Sequence, residues 1–158
     1  MSGFIAGGLP ASAPAPGAHI NTDAFWPSID IDKLRESLRI DASVTAARLE
    51  TAIIAAAISV NDELDRWRQD RQAEGISTLA DFPSSPVEGT TKHLYLYGRA
   101  IEAATGAEVC ERYRGYDTTG SGSKKTEEDA PTIEDYRRDH RWAIRDFLGK
   151  SRTTVELL

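Results

Sequence analysis

Between Thr45 and Glu74 there is no proline or glycine, and the apolar residues Leu49, Ile53, Ala56, Val60, Leu64 and Trp67 recur at steps of three and four. That spacing places all six on one face of an α-helix, and Gly75 is positioned to end it. At about 1.5 Å per residue the helix is on the order of 45 Å long, more than a compact bundle of this chain length needs. Either it bends or part of it meets a partner. The charges Asp62, Glu63, Asp65, Arg66, Arg68, Asp70 and Arg71 alternate in sign along the other side, as on a solvated face.

The rest of the 158 residues adds further helices around this one. Residues 1–24 are Gly, Ala, Ser and Pro with almost no charge, which reads as a flexible arm. Phe25 and Trp26 follow as anchors of that arm to the core, and Ser28, Asp30 or Asp32 can cap a short helix ending near Arg39. Residues 76–88 hold Pro83 and Pro86 and form a loop, tacked down at Leu79 and Phe82. Thr90 or Thr91 caps a second long helix. Its apolar positions are Leu94, Tyr97, Ile101, Ala104 and Ala107 or Glu108, with Leu96, Ala100, Ala103 and Cys110 on an adjoining stripe. Residues 118–130 are of low complexity and read as a mobile loop. Pro131 fits the first turn of a third main helix, whose buried stripe is Ile133, Tyr136, His140, Ala143 or Ile144, and Phe147 before Gly149. Residues 151–158 favour an extended tail able to add a strand to a partner. The expected architecture is therefore all-α: a bundle over 25–150 of three main amphipathic helices plus a short N-terminal one, with arm and tail outside it.

Several function classes fall away at this stage. A formal charge of -6 opposes tight non-specific binding to DNA, which needs Lys and Arg on phosphates. The lone Cys110 builds neither a disulfide framework nor a zinc site. The N-terminus lacks the basic and apolar regions of a secretion signal, and the most apolar run, 49–60, carries Glu50 and is too short to span a bilayer; the chain is expected to stay where it is made. The Gly120 to Thr126 segment has glycines and lysines, but no strand precedes it and its spacing fails as a phosphate-binding loop. Neither His93 nor His140 has a Glu three residues before it, so the di-metal pattern of helical bundles is missing. His140 reads as a packed or hydrogen-bonded core histidine. Arg137, Arg141 and Arg145 make a basic ridge that reads either as a plain exposed helix face or as a surface for an acidic neighbour. Tyr95, Tyr97, Tyr113 and Tyr116 interleave with Arg99, Arg112 and Arg114 in a pattern shared by interface anchors and by helices packed through aromatic bodies with polar tips. No catalytic or metal residue and no cofactor is expected.

Several segments, in chain order, resemble the head completion protein family of contractile-tailed temperate phages, the gpL family. They are Phe25-Trp26-Pro27-Ser28-Ile29-Asp30, Ala47-Arg48-Leu49, and the loop from Gly75 to Asp81. Then come Cys110 to Asp117 (CERYRGYD), Lys124-Lys125, Asp139-His140-Arg141-Trp142-Ala143, and Gly149-Lys150. The resemblance implies a small helical protein of the virion neck, made in the host cytoplasm. It implies a ring beneath the portal protein, with twelvefold symmetry as the family expectation, that stabilises the filled head and offers a surface to the tail terminator or other neck proteins. Genomic DNA then passes the lumen without specific binding. On this reading portal contact is assigned to Arg152, Thr153, Thr154, Val155, Glu156, Leu157 and Leu158. Contact between subunits is assigned to Arg112, Tyr113, Arg114, Arg141 and Trp142. The alternatives are a small cytoplasmic helical regulator that binds one partner, and an enzyme centred on His93 or His140.

Overall fold

The computed structural model describes residues 19–113 and 130–152. Residues 1–18 of the arm, Arg114, the loop up to residue 129 and tail residues 153–158 lie outside the described residues. The protein is mostly helical. Two small antiparallel sheets accompany the helices: β1 (His19–Ile20) pairs with β2 (Ile29–Asp30), and β3 (Pro86–Val87) pairs with β4 (Thr90–Thr91). The sequence places residues 19–24 in the arm and all of 76–88 in a loop. In the structure packing starts earlier, with Ile20 buried, and the loop contains a 3-10 turn at Leu79–Asp81 followed by the β3–β4 hairpin. Strands of two residues carry too little alternation to be seen in sequence.

Each helix starts where a side chain can take up a free backbone N–H. Of the three possible caps for α1 (Ile31–Ser37) the structure uses Asp30, whose carboxylate accepts from the Lys33 N–H at 2.9 Å. The long helix is α2 (Ala46–Ala73), capped by Thr45 and stopped by Gly75, whose φ of 90° is a left-handed conformation that other residues resist. In α3 (Lys92–Tyr113) the Thr91 hydroxyl accepts from the Leu94 N–H at 3.3 Å. Last comes α4 (Ile133–Phe147). Pro131 does not stand in its first turn as the sequence suggested. Thr132 and Asp135 form a capping box that sets the helix start one residue after Thr132, and Pro131 precedes the cap.

The three long helices run up, down and up, with α3 in the middle. Asn61 of α2 meets Tyr97 at 2.9 Å, and the Arg48 guanidinium lies 5.4 Å over the Tyr113 ring, so α2 and α3 are antiparallel. On the other flank α4 runs against α3, with Tyr136 over Gly106 and His140 at the Ala100 carbonyl. Contact between α2 and α4 is sparse, made by pairs such as Glu63 with His140 and Trp67 with Phe147. Leu49, Ile53, Ala56, Val60 and Leu64, all on the stripe expected from sequence, are at most 1% exposed. Thr105, Gly106 and Val109 of α3 are also buried, although none of them belongs to the expected stripes.

One end of the bundle is closed by aromatic rings. Trp26 stacks on Tyr97 with centroids 4.8 Å apart, and Phe25 meets both Trp26 and Trp67 edge-on. The Leu79 N–H donates to the Phe25 carbonyl at 2.8 Å, which ties the loop to the same cluster. Rings arranged edge-to-face or offset add about 0.5 to 1.5 kcal/mol per pair beyond their burial. Phe25 and Trp26 therefore fix the N-terminal segment as anchors.

Two glycines of α3 test the packing. A β-carbon at Gly106 would lie 2.5 Å from the Tyr136 ring, whereas one at Gly98 meets nothing within 4 Å. Gly98→Ala is expected to raise stability by about 0.5 to 1 kcal/mol, the usual cost of glycine inside a helix. Gly106→Ala should lower stability by about 1 to 3 kcal/mol, because the ring and the helix behind it must move. Urea denaturation of the two variants reads both signs.

Candidate functional site

The residues assigned to subunit contact separate into two places. Arg112 and Tyr113 sit at the end of α3, beside the start of α2. Arg112 is exposed and pairs with Glu108 at 2.7 Å, and Tyr113 is half-buried against the core under Arg48. Arg141 and Trp142 lie on α4, where Arg152, assigned from the sequence to portal contact, joins them. The Arg152 guanidinium grips the Asp146 carboxylate through two hydrogen bonds, at 3.1 and 2.5 Å, and lies 4.8 Å over the Trp142 ring. Arg138 covers the same ring at 4.9 Å. Trp142 is thus a half-buried indole between two guanidinium groups that remain partly open to solvent, a cation–π arrangement.

Asp146 and Arg138 belong to the same cluster but were not among the contact residues assigned from sequence. The signal was their spacing: Arg138, Trp142 and Asp146 follow at four-residue steps along one face of α4. Arg152 holds the Asp146 carboxyl below the usual carboxylate range, mainly through its hydrogen bonds. An ion pair so exposed contributes little to stability, so its consequence is position: the root of the tail has one place on the surface.

Of the ridge expected from sequence, Arg137 is committed to Glu134 at 2.8 Å and Glu111 at 3.4 Å, and the Arg145 Nε donates to the Ser151 carbonyl at 2.6 Å. Arg141 is exposed and has no ion pair among the described residues. It lines an open groove of about 200 Å³ between α2 and α4, with Ala56 and Ala104 as apolar lining and His140 and Arg137 alongside.

The two helical histidines are both engaged in packing. His140 contacts Glu63 through Nε2 at 2.7 Å. His93 sits among Trp67, Phe82 and Phe147, with Nδ1 2.7 Å from the Ser84 hydroxyl. Among the described residues no group of three His, Cys, Asp or Glu converges to hold a metal ion, and no described helix is long and apolar enough to cross a membrane.

Burial pushes the His93 imidazole below its ordinary value of 6.5; neighbouring Lys92 acts in the same direction, and the backbone of Phe147 offsets part of it. The unfolded chain then binds more protons than the folded one below that value, so the contribution of neutral His93 is complete above pH 6.5 and is lost as the pH falls through its lower folded value. Melting temperature should therefore drop from pH 7.5 to pH 5, and His93→Phe should flatten that slope.

Similar proteins give the surface its context. The family description "Phage head completion protein (GPL)" matches residues 20–158. The chain is 37% identical over 136 residues to the head completion/stabilization protein of Escherichia phage P2, covering 86% of this chain and 80% of that protein. No solved structure matches. With a match that runs from β1 to the final residue, and with its histidines held in packing, the chain belongs to the phage head completion protein family and is a structural protein, not an enzyme.

Proposed function

We propose that the protein completes the filled head by docking on the portal vertex as a ring of identical copies, through residues 152–158, and that the ring then receives the tail. The observation that carries this reading is the fixed root of the C-terminal tail. Arg152, the residue before Thr153, is clamped by Asp146 and Trp142 on the outer face of α4. A short segment with Thr, Val and Leu, held at one end, can add to a partner's surface with less loss of freedom than one tethered loosely. Arg141 and Trp142 beside it serve contact between neighbours, and Arg112, Tyr113 and Arg114 serve it at the other end of the bundle. The acidic balance of -6 fits a lumen through which DNA slides without adhering, since like charges repel.

Two truncations in a phage lacking the gene test this. Removing Thr153 to Leu158 should leave helicity and melting temperature unchanged while plaque yield falls at least a hundredfold, with filled heads losing DNA. Removing Arg152 as well should also return the Asp146 carboxyl to its ordinary range. Normal yield from the first truncation would show that the tail is not the docking segment.

A further inference from the structure

We infer that the outward face of α2 is the surface on which a second copy of this chain docks, presenting the Arg141–Trp142 face of its α4. Among the described residues the exposed large apolar side chains are Ile54, Ile58, Val87 and Tyr95. Ile54 and Ile58 stand one turn apart on α2, 42% and 58% exposed, outside the buried stripe of Leu49, Ile53 and Val60. Glu50 precedes them and Asp62 follows them, so four residues at four-residue steps read acid, Ile, Ile, acid. Neither Glu50 nor Asp62 has an ion pair among the described residues. A solvated helix face gains nothing from two adjacent isoleucines, and an apolar centre rimmed by unpaired charge is the composition of a contact surface.

The charges select the occupant. Two α2 faces packed against each other in antiparallel fashion would bring Glu50 of one copy to Asp62 of the other, and a parallel pair would match like with like; both are repulsive. DNA is repelled for the same reason. The complement is carried by the chain itself on α4, where Trp142 is framed by Arg138 and Arg152, each already paired with carboxylates of its own, and Arg141, without an ion pair among the described residues, stands next to it at the edge of the groove. With α3 between α2 and α4, the Ile54–Ile58 stripe and the Trp142 ring lie on different flanks. A contact between unlike faces repeats head to tail from copy to copy, and it makes a ring where the rotation between copies closes. The inference deepens the ring reading above and rests on it.

Disulfide trapping tests the contact in the full chain carrying Cys110→Ser. With Ile58→Cys and Arg141→Cys together, mild oxidation at high concentration or on purified portal should give a ladder of cross-linked multimers, while either cysteine alone gives monomer. In a background that cross-links through Ile58→Cys and Trp142→Cys, where Arg141 is retained, Asp62→Arg should abolish the ladder and adding Arg141→Glu should restore it. Dimers from Ile58→Cys alone would mean that α2 meets α2 and would overturn the inference. So would the lack of a ladder under both conditions. Thiol labelling of Ile58→Cys assigns any other occupant: protection in dilute monomer that vanishes when residues 1–18 are removed gives the stripe to the arm, and protection only with portal, without a ladder, gives it to the portal. Portal capture by pull-down is scored separately, so a ladder without capture leaves the contact standing and defeats only the docking reading.

Discussion

The burial of α3 between two helices is the constraint from which the rest of the molecule follows. A surface helix buries one stripe, but α3 meets α2 through Tyr97 and α4 along Ala100 and Gly106. Small side chains make this possible. Gly106 lets the Tyr136 ring lie directly on the backbone, and Ala100, Ala103 and Ala104 allow close approach where larger residues would hold the helices apart. The cost of the arrangement is that α2 and α4 hardly touch, which leaves a groove between them and sends their outer faces to opposite flanks.

The aromatic cluster at one end makes this three-helix layer into a closed unit. Trp26, Tyr97, Trp67, His93, Phe82 and Phe147 draw the N-terminal segment, the 3-10 turn and the ends of the long helices onto one another. His93 takes part as an aromatic ring more than as a base, because its surroundings disfavour the charged form. Its place is structural, which agrees with a family whose members complete heads and do not turn over substrates. With the core self-sufficient, what remains for function is the surface: a tail rooted at Trp142, and two flanks that differ in charge and polarity.

Much of the fold was legible from residue spacing. The limits of α2, its buried stripe and the stop at Gly75 follow from periodicity and end chemistry that act within one or two turns, whereas the choice of Asp30 among three possible caps and the Thr45 cap came from the structure. The family was legible too, from short segments whose order along the chain is more telling than any one of them. Site chemistry was legible only in part. Trp142 and Arg152 were named separately, as a subunit contact and a portal contact, and their stacking depends on the chain turning back after Gly149, which no spacing rule encodes. Thr105 and Val109 continue from Ile101 at steps of four; they were missed because the expected stripe was followed through Ala104 instead, and burial in α3 is broader than that stripe.

The sequence by itself determined the helices and most of their inner stripes, because helix formation and capping are local and an apolar period of 3.6 announces a buried face wherever it occurs. Only the tertiary structure decided which helix lies in the middle. Order along the chain does not say which of three amphipathic helices is covered on both sides, and that choice alone put Ile54 and Ile58 on one flank and Trp142 on the other.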